Sequence, residues 1–588
     1  MIKILHPDRQ KAANVRRHER VNTGPPPELA SWRANSKPIS SMRRPLLTRR
    51  RFAQLSLAGL GAAAHAATAP AAKGELLYNG IQLPVVWPPQ PGTPTPKPAP
   101  LPPHLATPPA VIPIDVGRQL FVDDFLVEQA TLQRSFHQPT WHPANPVLQP
   151  DQPWEKLGLA PMAAAFSDGV WWDPRDQLFK LWYMAGYRRA TALAVSQDGV
   201  KWEKRNWGVV PGTSIVQTGD RDSACVWLDL QEPDAQRRYK LFRAHRHEVN
   251  GRGEWWFEIH VSADGVHWSD VVGRSNSIYP RSTVFWNPFR RVWVFGLRKD
   301  SSTAIGRCRR YYECADGVAD AAKNPTDRSW WLGADALDVA RPDTQLAPQL
   351  TNLDCAAYES VLLGQFTLWR GKADAATGRP ELNDVCLGFS RDGFHFTRPD
   401  RRPFLGLSER KGDWNWGNVQ SAGGGCLVVG DKLFFYASGR RGGSTEFPDG
   451  DGCTGLATLR RDGFASFDAG DAEGTLTTRP VRFSGQHLFV NLAAPAGELR
   501  VEVLDERGAV IAPFAKANCA PVTGDATKSA VRWQGAVNLQ ALAGQPVKFR
   551  FSLRRGQLFA FWVSPEASGV SRGYVAGGGP GLTKPTDG

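Results

Sequence analysis

The sequence predicts an all-β protein: a five-bladed β-propeller followed by a C-terminal β-sandwich. Three observations predict it. An Asp-Gly step recurs at Asp198, Asp264, Asp316, Asp392 and Asp462, with gaps of 66, 52, 76 and 70 residues, a spacing of propeller-blade size. A second apolar hairpin precedes each copy. The composition also combines turn formers with strand formers: 57 Gly and 46 Pro stand beside 28 Phe and 22 Trp in 588 residues.

The clearest copies of the turn are Ser196-Gln197-Asp198-Gly199-Val200-Lys201-Trp202, Ser262-Ala263-Asp264-Gly265-Val266-His267-Trp268 and Ser390-Arg391-Asp392-Gly393-Phe394-His395-Phe396. Ala315-Asp316-Gly317 and Arg461-Asp462-Gly463-Phe464 are weaker. Asp-Gly between apolar strands marks a hairpin because glycine tolerates positive φ. The aromatic residue three places after the glycine is expected to pack between blades. The preceding hairpins run from Gly169–Asp173 to Leu178–Tyr183, Ala224–Leu228 to Tyr239–Phe242, Thr283–Asn287 to Val292–Phe295, Ser360–Leu363 to Phe366–Trp369, and Cys426–Val429 to Leu433–Tyr436. Two hairpins per unit make a four-stranded blade, and five units make the propeller. A stack of sandwiches is the competing reading, and five copies of a two-turn unit argue against it.

Ahead of the repeats, Thr48-Arg49-Arg50-Arg51-Phe52 leads into the apolar run Leu55–Ala64. This pattern resembles a twin-arginine export signal, with cleavage expected near Ala66–Ala72 and a periplasmic or extracellular destination. Residues 1–72 are therefore read as extension and signal peptide, with Met42 the expected start. Residues 73–111 are dense in proline and are read as a stiff linker. The propeller is expected over 112–475, the sandwich over 476–567 and a loose Gly-rich tail over 568–588. In the sandwich region, Arg500–Asp505 alternates, and Lys548–Leu553 pairs with Leu558–Val563 through Arg555-Gly556.

The formal charge of +14 is concentrated at the N-terminus: residues 1–72 hold 13 Lys+Arg and 3 Asp+Glu, leaving +4 on the remainder. No basic face for nucleic acid is visible there. No apolar run reaches the roughly 20 residues of a membrane span. The eight cysteines form no Cys-x-x-Cys pair, so a zinc cluster is not expected. Cys308 and Cys314 could pair, and buried free thiols are the alternative. His245 and His247 share one face of a strand without a third ligand in view, so neither a metal nor another cofactor is expected. Oligomeric state is not legible.

In a propeller the innermost strands converge on the axis, and polar residues at their leading ends face one pocket. Those positions hold Asp168 in blade one, Arg221-Asp222 in blade two, Arg281 in blade three, Asp354 and Glu359 in blade four, and Trp414, Trp416 and Asn418 in blade five. Asp123-Asp124 lies just upstream of blade one. Glycoside hydrolysis needs two carboxyl groups across the bond, one ionised and one protonated. Asp123 or Asp124, Asp222 and Glu359 form the expected catalytic set, with Asp168 a rival. Each has a structural alternative: Asp123-Asp124 as a turn cap, Asp222 as a partner of Arg221, Glu359 as a satisfied polar residue near the axis. Arg221, Arg281, Arg440 and Asn418 are expected to bind substrate, with Trp414 and Trp416 as a stacking platform for a carbohydrate.

These features together resemble the five-bladed propeller glycoside hydrolases, the invertase–levanase and arabinanase–xylosidase families. Pro143–Leu148 with Trp154-Glu155 is similar to the start of blade one in mannoside phosphorylases. The resemblance covers roughly 112–565 in architecture. It implies a first-blade Asp nucleophile, an Arg-Asp pair that holds the sugar, matched by Arg221-Asp222, and a later acid, matched by Glu359. Ser223 stands where the invertase group has Pro, and its Asn-Asp-Pro-Asn-Gly motif is absent. The implied activity is hydrolysis of a glycosidic bond. Phosphorolysis or transglycosylation on the same fold, and a non-catalytic sugar-binding propeller, are the alternatives.

Overall fold

The computed structural model describes residues 74–299, 304–323, 329–443, 447 and 450–588. The twin-arginine motif and the apolar run behind it lie outside the described residues.

The repeats fold as five meanders in chain order, the fourth and fifth joined into one sheet through the Asn383–Asn418 pair. Blade one carries Ala163–Ala164 and Val170–Asp173 innermost, then Leu178–Ala185, Ala190–Ser196 and Ile215–Gln217. Blade two is Ser223–Leu228, Tyr239–Val249, Arg252–Ser262 and Gly273–Arg274. Blade three is Thr283–Asn287, Val292–Lys299, Cys308–Cys314 and Ser329–Trp330. Blade four is Gln349–Glu359, Val361–Gly371, Leu382–Ser390 and Phe396–Thr397. Blade five has Asn418–Ser421 and Leu427–Val429 innermost, then Lys432–Arg440 and Gly452–Arg460. Its outermost strand, Thr140–Trp141, comes from ahead of blade one. The innermost strands neighbour one another in blade order, and blade five returns to the turn Phe166–Asp168 of blade one. The ring therefore closes, and the borrowed strand ties its two ends together.

The Asp-Gly turns do more than reverse the chain. In the first copy Asp198 Oδ1 accepts the backbone N–H of Val200 and of Lys201, each at 2.8 Å, and Ser196 Oγ accepts Gly199 N–H at 2.9 Å. The copies at Asp264 and Asp392 repeat this pattern. Carbonyls in these turns also accept hydrogen bonds from neighbouring blades. Tyr436 Oη donates to Gly199 O, Trp182 Nε1 to Gly265 O at 2.9 Å, and Trp331 Nε1 to Phe394 O at 2.7 Å. The fifth copy differs, because Asp462 is buried in an ion-pair network.

The second layer system is one nine-stranded sheet folded over a core that includes Phe121, Val490, Val501, Phe549 and Phe561. Its long strand His487–Leu504 pairs with Gly556–Ser564 up to Ala493, then with Lys548–Arg554 from Glu498. One strand thus serves both layers of the sandwich. Val127–Ala130 and Gln133–Phe136, which precede the propeller, lie at the two ends of this sheet. The sandwich is accordingly built from both chain ends and not from residues 476–567 alone.

Two expectations about the flanks need correction. The Pro-rich segment is exposed in its middle but anchored at its start. Leu77, Ile81 and Leu83 are buried in the sandwich core, and Asn79 Nδ2 donates to Arg391 O at 2.9 Å. The folded chain thus begins well before Ile112. The Gly-rich tail is docked. Tyr574–Val575 pairs with Tyr358–Glu359, and Ala576 and Gly577 make backbone hydrogen bonds to blades one, four and five. A Cβ at Gly579 would fall 1.8 Å from Val428 O, and one at Gly573 1.9 Å from Glu359 Oε2. The glycines permit close backbone approach rather than looseness. All eight cysteines are free thiols, so Cys308 and Cys314 do not pair.

Beneath the tail, Glu359 sits in the tight turn that ends the first strand of blade four, with φ +48°. It accepts Arg118 N–H at 3.0 Å and Ser571 Oγ–H at 2.7 Å, and it lies 3.3 Å from Arg461 Nη2. Arg118 also pairs with Asp462 at 2.8 Å, and all four charged residues are largely buried. Truncating one member of such a network leaves buried charge uncompensated. Glu359→Ala is therefore expected to lose about 3–5 kcal/mol of stability in a denaturant titration, with Glu359→Gln losing less.

Candidate functional site

In each meander the leading end of the first strand and the hairpin between the second and third strands face the same side. At that side a cavity of about 310 Å³ opens over the axis. Blade two brings Asp222, blade three Pro280, Arg281 and Arg298, and blade five Asn418, Gln420 and Arg440. Blade one contributes Tyr187 and Arg188 from the hairpin after Leu178–Ala185. Blade four contributes Thr351 and Glu381, the latter just before Leu382–Ser390. A second cavity of about 480 Å³ adjoins the first. It shares Tyr187, Arg188 and Asp222 with it and adds His245, Arg246 and Trp255 from the long hairpin of blade two. Asp222 therefore stands where the two cavities meet.

Asp222 is 3% exposed. Its Oδ1 lies 2.7 Å from Arg188 Nη2, while Oδ2 is buried with no hydrogen-bond partner and lies 3.9 Å from Arg281 Nε. A carboxyl oxygen left in this way at a cavity wall is a costly arrangement that a bound ligand would relieve. Arg281 has φ +63°, and burial pulls its guanidinium below the usual arginine range. Its guanidinium lies over the Phe166 ring at 4.3 Å, and Arg440 lies 5.4 Å from the Tyr187 ring. Glu381 accepts a hydrogen bond from Trp369 Nε1 at 3.2 Å and lies 3.5 Å from Arg307 Nη2. Asn418 Nδ2 donates to the Glu381 backbone oxygen at 2.8 Å. Among the described residues, the lining of the axial cavity carries five arginines and two carboxylates.

Below this layer the axis is filled with small polar groups. Asp168 and Arg221, both fully buried, form a bidentate ion pair, with Nη2–Oδ2 at 2.7 Å and Arg221 Nη1 also donating to Thr191 Oγ1. Burial pushes the Asp168 carboxyl up, against the pull of Arg221. Deeper still, Asp354 accepts hydrogen bonds from Ser421 Oγ and Asn352 Nδ2, each at 2.6 Å, and burial raises it to about 6.

The structure does not bring the expected catalytic trio together. Asp222, Arg281, Asn418 and Arg440 line the axial cavity, and Arg221 lines the adjoining one with its guanidinium paired to Asp168. Glu359 is eight residues along its strand from Thr351, ~26 Å at strand rise and on the opposite face. Asp123 pairs with Arg391 at 2.8 Å and caps its own turn through Phe125 N–H. Asp124 is exposed beside Arg134 on the sandwich sheet. Trp414 packs edge-on against Trp141 at 5.0 Å and over Gly439 and Gly455, inside blade five. Trp416 is 6% exposed between Arg379 and Lys411. Neither tryptophan lines the axial cavity. The sequence reading missed Tyr187, Arg188, Arg298, Arg307 and Glu381. Most of these lie on or beside second-to-third-strand connections, which open on the same side as the inner-strand starts.

No known protein family matches the sequence, and no curated protein matches it. Solved structures do. A thermostable family-43 glycoside hydrolase is 12% identical with a TM-score of 0.37, covering 51% of this chain and 92% of its own. An N-acetylgalactosamine deacetylase from F. plautii is 13% identical with a TM-score of 0.36, covering 54% and 97%. A mannose phosphorylase from Leishmania mexicana is 7% identical with a TM-score of 0.31, covering 56% and 88%. These three carry three different reactions, and likenesses of this size do not identify one.

Asp354 supplies a test of the axial column. Its carboxyl is held protonated to a higher pH in the folded chain than in the unfolded chain. Stability is thus lost as pH rises from about 4 through about 6, and stays lost above that. Asp354→Asn keeps an acceptor without the charge. It is expected to raise stability on the order of 2–3 kcal/mol at pH 7–8, measured by thermal melting across pH. The gain should fade below pH 4.

Proposed function

We propose that this protein is an exported carbohydrate-active enzyme that cleaves a glycosidic bond next to an acidic group of its substrate, in the axial cavity. The observation that carries the reading is the buried, unsatisfied Asp222 Oδ2 at the junction of two cavities. The arginine-rich lining supports the acidic substrate, because guanidinium groups match carboxylates and sulfates in a bidentate way. Asp222, held beside Arg188, acts on the sugar carbon or on a water at it. Glu381 is the second carboxyl of the pair. Arg281 and Arg440 hold the acidic group, and Asn418 orients the Glu381 segment. Glu359 has no part in the chemistry. The twin-arginine pattern at Arg49–Arg51 supports export to the periplasm or beyond.

The same arginines favour a second reading, in which free phosphate is the acceptor and the reaction is phosphorolysis. A screen of the purified mature protein against uronate-containing, sulfated and neutral glycans, with and without phosphate, separates the two. Product release from acidic glycans is expected in wild type. Asp222→Asn should lower kcat roughly 10²–10⁴-fold, while Glu359→Gln should keep the wild-type kcat wherever it is folded. Arg281→Ala should raise KM about 10–100-fold on acidic substrates. Full activity in Asp222→Asn would sink the assignment.

A further inference from the structure

The long hairpin of blade two changes character along its length. On the face turned to blade one, Tyr239 and Leu241 are apolar and buried. Farther along the same face come Arg243, His245 and His247, opposite Trp256 and Glu258 of the partner strand. Tyr239–Val249 and Arg252–Ser262 each run to 11 residues, so this stretch projects beyond the inner strand Ser223–Leu228, which pairs only as far as Ala244.

His245, His247 and Glu258 each place one ligand atom within 4.8 Å of the other two. His245 Nε2 lies 3.0 Å from Glu258 Oε2, and the two imidazole rings are 3.7 Å apart. His247 Nε2 is buried with no hydrogen-bond partner, and His245 Nε2 has none besides its approach to Glu258. Two imidazoles beside one carboxylate, with the His247 ring nitrogen left without a partner, is an arrangement a cation resolves. The orientation is supported from behind. His247 stacks on Trp256 at 3.5 Å and 9°, and Arg243 Nη2 holds Glu258 Oε2 at 2.7 Å.

We infer that His245, His247 and Glu258 form a binding site for a zinc-like divalent metal ion, with its open coordination position facing the cleft that holds Asp222. The ligand set is two neutral imidazoles and one carboxylate, which suits zinc and later first-row metals better than calcium or magnesium. Three protein ligands leave a fourth position open. His245 itself lines the 480 Å³ cavity with Arg188, Asp222 and Trp255, so that position is reachable by a ligand in the cleft. The inference is independent of the proposed glycoside chemistry, since it concerns metal binding alone.

The test uses the full mature chain without a histidine tag, stripped with a chelator and titrated with Zn²⁺ against a chromogenic competitor. One equivalent of tight binding is expected, together with a rise in Tm on adding Zn²⁺. His245→Ala and His247→Ala should each weaken that binding at least about a hundredfold. Their Tm in the metal-free state should match metal-free wild type, which excludes misfolding. His260→Ala, whose ring lies two residues beyond Glu258 and hydrogen-bonds Ser269 O, should bind like wild type. No saturable binding below millimolar Zn²⁺ in wild type would overturn the site. So would unchanged affinity in both histidine variants.

Discussion

Ring closure is the constraint on which everything else rests. Five separate meanders become one site only when the fifth inner strand meets the first. The chain secures that by lending Thr140–Trp141 to blade five before blade one has begun. Closure crowds five strands around one axis. The space left there suits small polar side chains, and the column of Ser167, Asn352, Asp354 and Ser421 fills it. Above that column the same convergence sets Asp222, Arg281, Asn418 and Arg440 around one cavity. The opposite face is sealed by the docked tail and the buried Arg118–Glu359–Asp462–Arg461 network.

This division of faces separates chemistry from stability. Carboxylates occur on both sides, and burial alone does not tell them apart. Asp123, Glu359 and Asp462 have their oxygens shared among arginines, hydroxyls and backbone N–H groups. Asp222 has one oxygen paired and one idle beside open space. The difference lies in unsatisfied valence at a cavity wall, and the role proposed for Asp222 rests on it.

The fold was legible because its signals are local. An Asp-Gly turn takes its hydrogen bonds within five residues, so its period could be counted directly along the chain. The candidate site was only half legible. Asp222, Arg281 and Asn418 were found because inner-strand starts can be located from the hairpins, whereas Arg440, at the end of a second strand, was named for its charge alone. Glu359 was misplaced because Ser360–Leu363 was read as the inner strand of blade four in a hairpin with Phe366–Trp369. Apart from Ser360, both lie in the second strand, Val361–Gly371, and Glu359 ends the inner strand Gln349–Glu359. Glu381 and Arg188 needed the rule that alternate hairpins share a face. Glu258 needed the register of two paired strands, which no single-strand periodicity reveals. The tail misled because glycine serves both loose linkers and tight docking, and only the neighbouring backbone decides which.

The most direct measurement is a crystal structure of the protein soaked with an acidic oligosaccharide. The account predicts ordered sugar in the axial cavity, with a hydroxyl or ring atom within hydrogen-bond reach of Asp222 Oδ2 and the acidic group against Arg281 or Arg440. Sugar bound only on the sandwich or on the outer blade surfaces, with the axial cavity empty, would contradict it.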